Sequence, residues 1–301
     1  VEAVSSSSYL YGAHCRPGMR VIAAVNESGA ELYVTVYSQD RSLALYGIVA
    51  LFLISIWVIG GRQGLNSAIG LVFTFLCIIF LFIPMIYRGA SPIGASMLVA
   101  GLTTVVTMYL IGGSSTKTAA AILATILGVM LSGSLAAAFG RLAGISGYNV
   151  ADIEQLEYVA QMTDIKAGEL LYAGILISSL GAVMDVAMSV SSAVHEVAAR
   201  APELGFKEVF RSGIHVGRDM MGTMSNTLIL AFTGTSINTL VFIYAYGYSL
   251  NQTINMYSIG IEIIQGISAT LGVIFTVPVA AYINALLLEK RKKKREQHIL
   301  S

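Results

Sequence analysis

Along most of the chain, apolar positions continue without interruption for about twenty residues and then stop at short polar turns. This pattern predicts about seven membrane-crossing helices, at roughly 43–61, 66–87, 91–112, 118–139, 169–195, 222–249 and 256–287. The first forty residues follow a different rhythm. RVIAAV and ELYVTVY alternate apolar and polar positions on either side of Asn26-Glu27-Ser28-Gly29, which predicts a β-hairpin. Between the fourth and fifth spans, DIEQLEYVAQ places Ile153, Leu156, Val159 and Ala160 on one helical face, so a short amphipathic helix is expected there. The resulting fold class is an all-α polytopic membrane protein with a short N-terminal extracytoplasmic β-hairpin. Its regions are 1–42 (β-rich), 43–289 (membrane helices) and 290–301 (basic tail).

Composition agrees: of 301 residues, 55% are hydrophobic and only 12% charged, a balance unlike that of a soluble domain. Cys15 and Cys77 lie in unlike settings and indicate neither a disulfide framework nor a cysteine metal site. The chain begins at Val1, and a lone hairpin is only marginally stable. The N-terminal strands are therefore expected to end a larger extracellular β module, with further sequence upstream.

Charge sets the expected orientation. Lys290, Arg291, Lys292, Lys293, Lys294 and Arg295 follow the last span and belong on the cytoplasmic side by the positive-inside rule. Counting back over seven spans puts Arg62, Lys117 and the stretch from Arg200 to Arg218 inside. The N-terminus and the acidic segment carrying Asp152, Glu154, Glu157 and Asp164 fall outside. The basic tail fixes topology and meets anionic lipid; it is too short to read as a nucleic-acid-binding element.

Within the spans, Gly128, Ser132, Ala136 and Gly140 recur every fourth residue, which lets another helix approach closely. Pro278 lies inside the last span and should free a carbonyl and kink the helix. The most informative stretch is GAVMDVAMSVSSAVHEV. In it Gly181, Asp185, Ser189, Ser192 and Glu196 continue a small, polar stripe begun by Gly174 and Ser178, with His195 on the adjacent face. A mid-span carboxylate costs about 2.5–3.5 kcal/mol on insertion scales, so such groups usually face a polar path. The bland alternative for Asp185 is a hydrogen bond holding helices together; for His195 and Glu196 it is an ordinary interfacial pair. The sixth span offers Asn226, Thr227, Thr235 and Asn238 as partners. Its Thr233-Gly234-Thr235-Ser236 segment predicts local unwinding of the kind that coordinates transported solutes. The seventh span adds Glu262. Asp185, Ser189, Asn226 and Thr227 are expected to border one cavity.

The two blocks GAVMDVAMSVSSAVHEV and GRDMMGTMSNTLILAFTGTS resemble the YibE/F-like family of bacterial multi-pass membrane proteins, over about residues 43 to 290. The resemblance implies a bacterial inner-membrane location, often with an anchor helix and extracytoplasmic domain ahead of the bundle, and a transporter or permease role. It brings no catalytic residue, metal or cofactor to carry over. Enzyme motifs are missing from the sequence itself: His195-Glu196 is followed by Ala199 where a zinc-peptidase helix needs histidine, and no Walker loop or nucleophile elbow is present. The expected function is movement of a cation or proton-coupled small solute past Asp185. The alternative is a non-transporting scaffold, signalling or assembly subunit that binds a partner through its extracytoplasmic segment. Homo-oligomerisation or a partner membrane subunit is left open.

Overall fold

The structure is a computed structural model and describes residues 3–5, 14–28, 31–150 and 153–300. It divides into two compact units, Val1–Ala68 and Ile69–Ser301.

In the first unit, β2 (Val21–Ser28) and β3 (Glu31–Gln39) pair antiparallel, as the alternation predicted. The turn between them, like Asp152 later in the chain, lies outside the described residues. A third strand, β1 (Ala3–Ser5), runs parallel to β3 and gives the order β1-β3-β2. Three residues are too few to register as a strand in the sequence. Helix α1 (Ser42–Cys77) follows. Its start is capped by Asp40, whose carboxylate accepts the Ser42 hydroxyl and backbone N–H. Those hydrogen bonds favour the ionised form and hold Asp40 below the usual carboxylate range.

Helix α1 continues through a π-helical turn (Ile78–Phe82) into α2 (Ile83–Tyr87), giving 46 residues of apolar helix. A straight helix of that length would extend about 70 Å, over twice the hydrocarbon thickness of a bilayer. The backbone breaks at Gly61 (φ 54, ψ −136), in a positive-φ region open to glycine. A Cβ placed on Gly64 would fall 2.0 Å from the carbonyl oxygen of Ile56, a residue that a straight helix would hold about 12 Å away.

The second unit is a helical bundle: α3 (Pro92–Gly112), α4 (Thr116–Leu142), α5 (Ile153–Gln161), α6 (Ala167–Arg200), α7 (Phe206–Thr235), α8 (Ile237–Tyr246), α9 (Leu250–Ile254) and α10 (Tyr257–Leu300). Among the described residues, five helical segments are long and apolar enough to cross a membrane, or six if the bent α7–α8 pair is one span. The protein is therefore a multi-pass membrane protein. The predicted amphipathic helix is present as α5.

Helix α6 is the centre of the bundle, packed by α3, α4, α7 and α10. Val183, Val186, Val190 and Val194 are completely buried along it. Lipid is as apolar as these side chains, so close packing rather than water exclusion holds such helices together. The small residues permit it. A Cβ on Gly128 of α4 would fall 1.9 Å from Thr276 Oγ1 of α10, and one on Gly272 of α10 would fall 2.7 Å from Ser132 Cβ of α4. Gly140 in turn receives the Tyr172 side chain of α6, whose hydroxyl donates to the Ile145 carbonyl at 2.6 Å. The four-residue stripe of α4 is thus consumed by packing. Helix α10 runs through Pro278 without interruption.

Hydropathy misplaces one loop. Lys207 to Arg218 is the first part of α7, and the helix begins sixteen residues before the apolar span predicted from 222. Charge hides the reason from hydropathy: Val209, Gly213 and Gly217 share one face and are buried, while Lys207, Arg211 and Arg218 are exposed. Gly217 meets Val277 of α10, and Gly213 meets Ala281 of α10 and Val194 of α6.

Candidate functional site

Helix α7 ends where its sequence turns polar. Thr233 Oγ1 donates to the Ile229 carbonyl at 2.8 Å and Thr235 Oγ1 to the Phe232 carbonyl at 2.7 Å. Hydroxyls bonded back onto their own helix in this way bend it. After Ser236 the chain restarts as α8, inclined by 61° to α7. The expected unwinding at Thr233-Gly234-Thr235-Ser236 is thus a sharp break between two helices.

Against this break, α10 presents Glu262. Between them lies a cavity of about 230 Å³, bounded by Ile229, Phe232, Thr233, Ser236 and Leu240 on one side and by Ile259, Glu262, Ile263, Gly266 and Ile267 on the other. Glu262 is partly buried. Its Oε2 atom is fully buried and has no hydrogen-bond partner among the described residues. Thr235 and Asn238 lie at the same break but are exposed, and neither lines the cavity.

Asp185 is elsewhere. Gly174, Ser178, Gly181, Asp185 and Glu196 are exposed along α6, with Ser189 and Ser192 half-buried between them, so the predicted stripe is the face its neighbours leave uncovered. A Cβ added to Gly174 or Gly181 would meet nothing within 4 Å. Asp185 makes no hydrogen bond or ion pair with any described residue. Ser178 Oγ accepts from Gln265 Nε2 of α10 at 3.5 Å, the stripe's one side-chain hydrogen bond to another helix among the described residues.

None of Asn226, Thr227, Asp185 and Ser189 lines the cavity at the helix break. For Asn226 and Thr227 this follows from the orientation of α7. Met221, Met224 and Leu228 turn inward onto the core, and at 100° per residue Asn226 then points away from it. Asn226 and Thr227 are exposed, and Thr227 Oγ1 donates to the Thr223 carbonyl at 3.0 Å. In α7 the thioether face packs onto the core, because Met fills irregular gaps.

The remaining predicted residues lie at the other end of α6. Glu196 pairs with Arg200 at 2.7 Å, both largely exposed, an interaction worth no more than about 1 kcal/mol. His195 Nε2 lies 3.2 Å from Thr116 Oγ1 of α4, and Nδ1 lies 3.1 Å from the Ser191 carbonyl. Beside it is a residue that the sequence does not single out. Asn284 of α10 is completely buried and donates to Ser191 Oγ at 2.8 Å and to the Ala280 carbonyl at 2.7 Å. Its Oδ1 has no partner among the described residues. Arg291 reaches Thr116 Oγ1 at 3.4 Å. A lone amide within VPVAAYINALLL was the available signal: such a group in a buried helix must find a partner.

These geometries divide the polar groups into an interhelical knot, Asn284-Ser191-His195-Thr116, with one amide oxygen left over, and a carboxylate whose buried oxygen lacks a partner and faces a helix break. The first can hold helices; the second can receive something. No curated protein and no solved structure matches the chain. A family model described as YibE/F-like protein matches residues 48–290, most of the chain and both blocks that carry the resemblance. The protein belongs to the YibE/F-like family.

Proposed function

We propose that the protein is a membrane transporter or permease that moves a cation or a proton-coupled small solute, using the cavity between the α7–α8 break and Glu262 as a station. The carrying observation is the buried, unpartnered Glu262 Oε2 beside a helix broken within the apolar region. A buried acceptor without a partner costs about 1–3 kcal/mol, and a broken span exposes backbone groups that only a cavity, a neighbour or a ligand can satisfy. Both costs are characteristic of transport sites. Asp185 and Asn226 form a second polar surface on this reading, open on the outside of α6 and α7.

The proposed topology has seven crossings with the N-terminus outside and the C-terminus in the cytoplasm of a bacterial inner membrane. In this topology the 46-residue segment turns at the Gly61 break and crosses twice, and the α7–α8 pair crosses once. The positive-inside distribution of Arg62, Lys117, Lys207, Arg211, Arg218 and the tail supports this orientation.

A second reading, a membrane assembly or signalling subunit, draws on one observation: the open Gly174–Asp185 face, where small residues would let another helix approach. Flux measurements in liposomes across a panel of cations, with and without a pH gradient, separate the two. Flux above that of empty liposomes supports transport; none under any condition leaves the assembly reading.

A further inference from the structure

The chemistry of the cavity lining is more specific than transport in general, and the ligand class it defines rests on the reading of this cavity as a transport site. Among the described residues, Glu262 is the only ionisable side chain in the lining, and no lysine, arginine or histidine joins it. An anion would meet a carboxylate with nothing to offset it. The Thr233 hydroxyl already donates to the Ile229 carbonyl, so it offers the cavity lone pairs. Oε2 of Glu262 likewise accepts and lacks a donor. The ligand must bring N–H or O–H groups and, to suit a carboxylate, positive charge.

The other walls are apolar: Ile229, Leu240, Ile259, Ile263 and Ile267, with the ring of Phe232. A bare hard cation fits poorly. Calcium takes six to eight oxygen ligands, and this lining offers one carboxylate and two hydroxyl side chains. An apolar body attached to the charge would replace the missing hydration with contact, and Phe232 could add a cation–π attraction. At about 230 Å³ the space lies below the range of about 300–1,000 Å³ usual for drug-sized ligands, so the body is small.

We propose that this cavity is a binding site for a small organic ammonium ion, a protonated amine with a short apolar chain, held by the Glu262 carboxylate and enclosed by the aliphatic wall and Phe232. The amine's N–H groups satisfy Oε2, and its chain lies toward Ile263 and Leu240.

The test is calorimetric titration of the purified full chain in a detergent free of amines, with n-hexylammonium as probe and hexan-1-ol and hexanoate as matched neutral and anionic controls. Saturable hexylammonium binding is expected, at least tenfold tighter than either control. Glu262→Gln should weaken it at least tenfold. Gly266→Leu should abolish it by filling the space; a Cβ there sits at an ordinary 3.5 Å from Phe232. Equal binding of hexan-1-ol, unchanged binding by either variant when both elute as the wild type does, or no saturable binding would overturn the site. So would co-purified phosphatidylethanolamine that hexylammonium cannot displace, because the occupant would then be a lipid headgroup. Inorganic cation flux without hexylammonium binding would sink this inference alone; hexylammonium binding without any flux would sink the transport reading and keep the site.

Discussion

At the scale of single residues, the informative groups are those whose hydrogen-bonding capacity the fold leaves unfilled. Glu262 has a buried oxygen without a donor, and Asn284 has a buried oxygen beside two satisfied bonds from its amide nitrogen. Interhelical hydrogen bonds in membranes average about 0.6 kcal/mol and reach about 1.7. Asn284→Ala should therefore lower stability by about 0.6–1.7 kcal/mol, read as a fall in the thermal unfolding midpoint in detergent. Ser191→Ala on top of it should add little, because their shared bond is already gone; a full additive loss would show that the two residues act separately. The sequence made Asp185 and Glu262 legible because charge in an apolar run is conspicuous. It left Asn284 and Ser191 unnoticed, since one amide and one hydroxyl barely alter hydropathy and become significant only when two helices bring them together.

At the scale of elements, small residues decide where helices meet and where they stop. Gly217 of α7 sits where a Cβ would fall 2.2 Å from Val277 Cγ1, so Gly217→Leu forces α7 away from α10. Overpacking of this kind costs about 1–3 kcal/mol, and the variant should lose that much stability in chemical unfolding. A Cβ on Gly222, on the open side of the same helix, meets nothing within 4 Å, so Gly222→Leu should be close to neutral. Equal losses at the two glycines would refute the assignment of the packed face. Gly61 carries a positive φ, so Gly61→Val should cost about 1–3 kcal/mol in backbone strain although its side-chain space is empty. The extents of most helices were legible from apolar run length. The start of α7 was not, because its first three turns carry their charges on one side and hide a packed face from any average over the window.

At the scale of the molecule, the bundle is organised around α6, and one face of that helix stays open. The arrangement of polar stripes between helices was the part the sequence could not supply, since facing depends on how each helix is rotated and not on its composition. If seven crossings hold, a reporter fused after Arg295 will be cytoplasmic and one placed near Glu154 will be external; the reverse labelling would discard the orientation. If the open face receives a second copy, a Gly181→Cys variant should form a disulfide-linked dimer in membranes under mild oxidation, whereas a cysteine at the packed Val183 should not. The proposed transport path runs through the cavity at the helix break. Flux in sealed liposomes carrying wild type, Glu262→Gln or Asn284→Ala, across a cation panel and with an imposed pH gradient, probes that path without intermediaries. Transport through this site predicts flux for the wild type, loss of at least ninety per cent, about a tenfold fall in rate, for Glu262→Gln, and retained flux for a folded Asn284→Ala. Wild-type flux that Glu262→Gln leaves unchanged would contradict it.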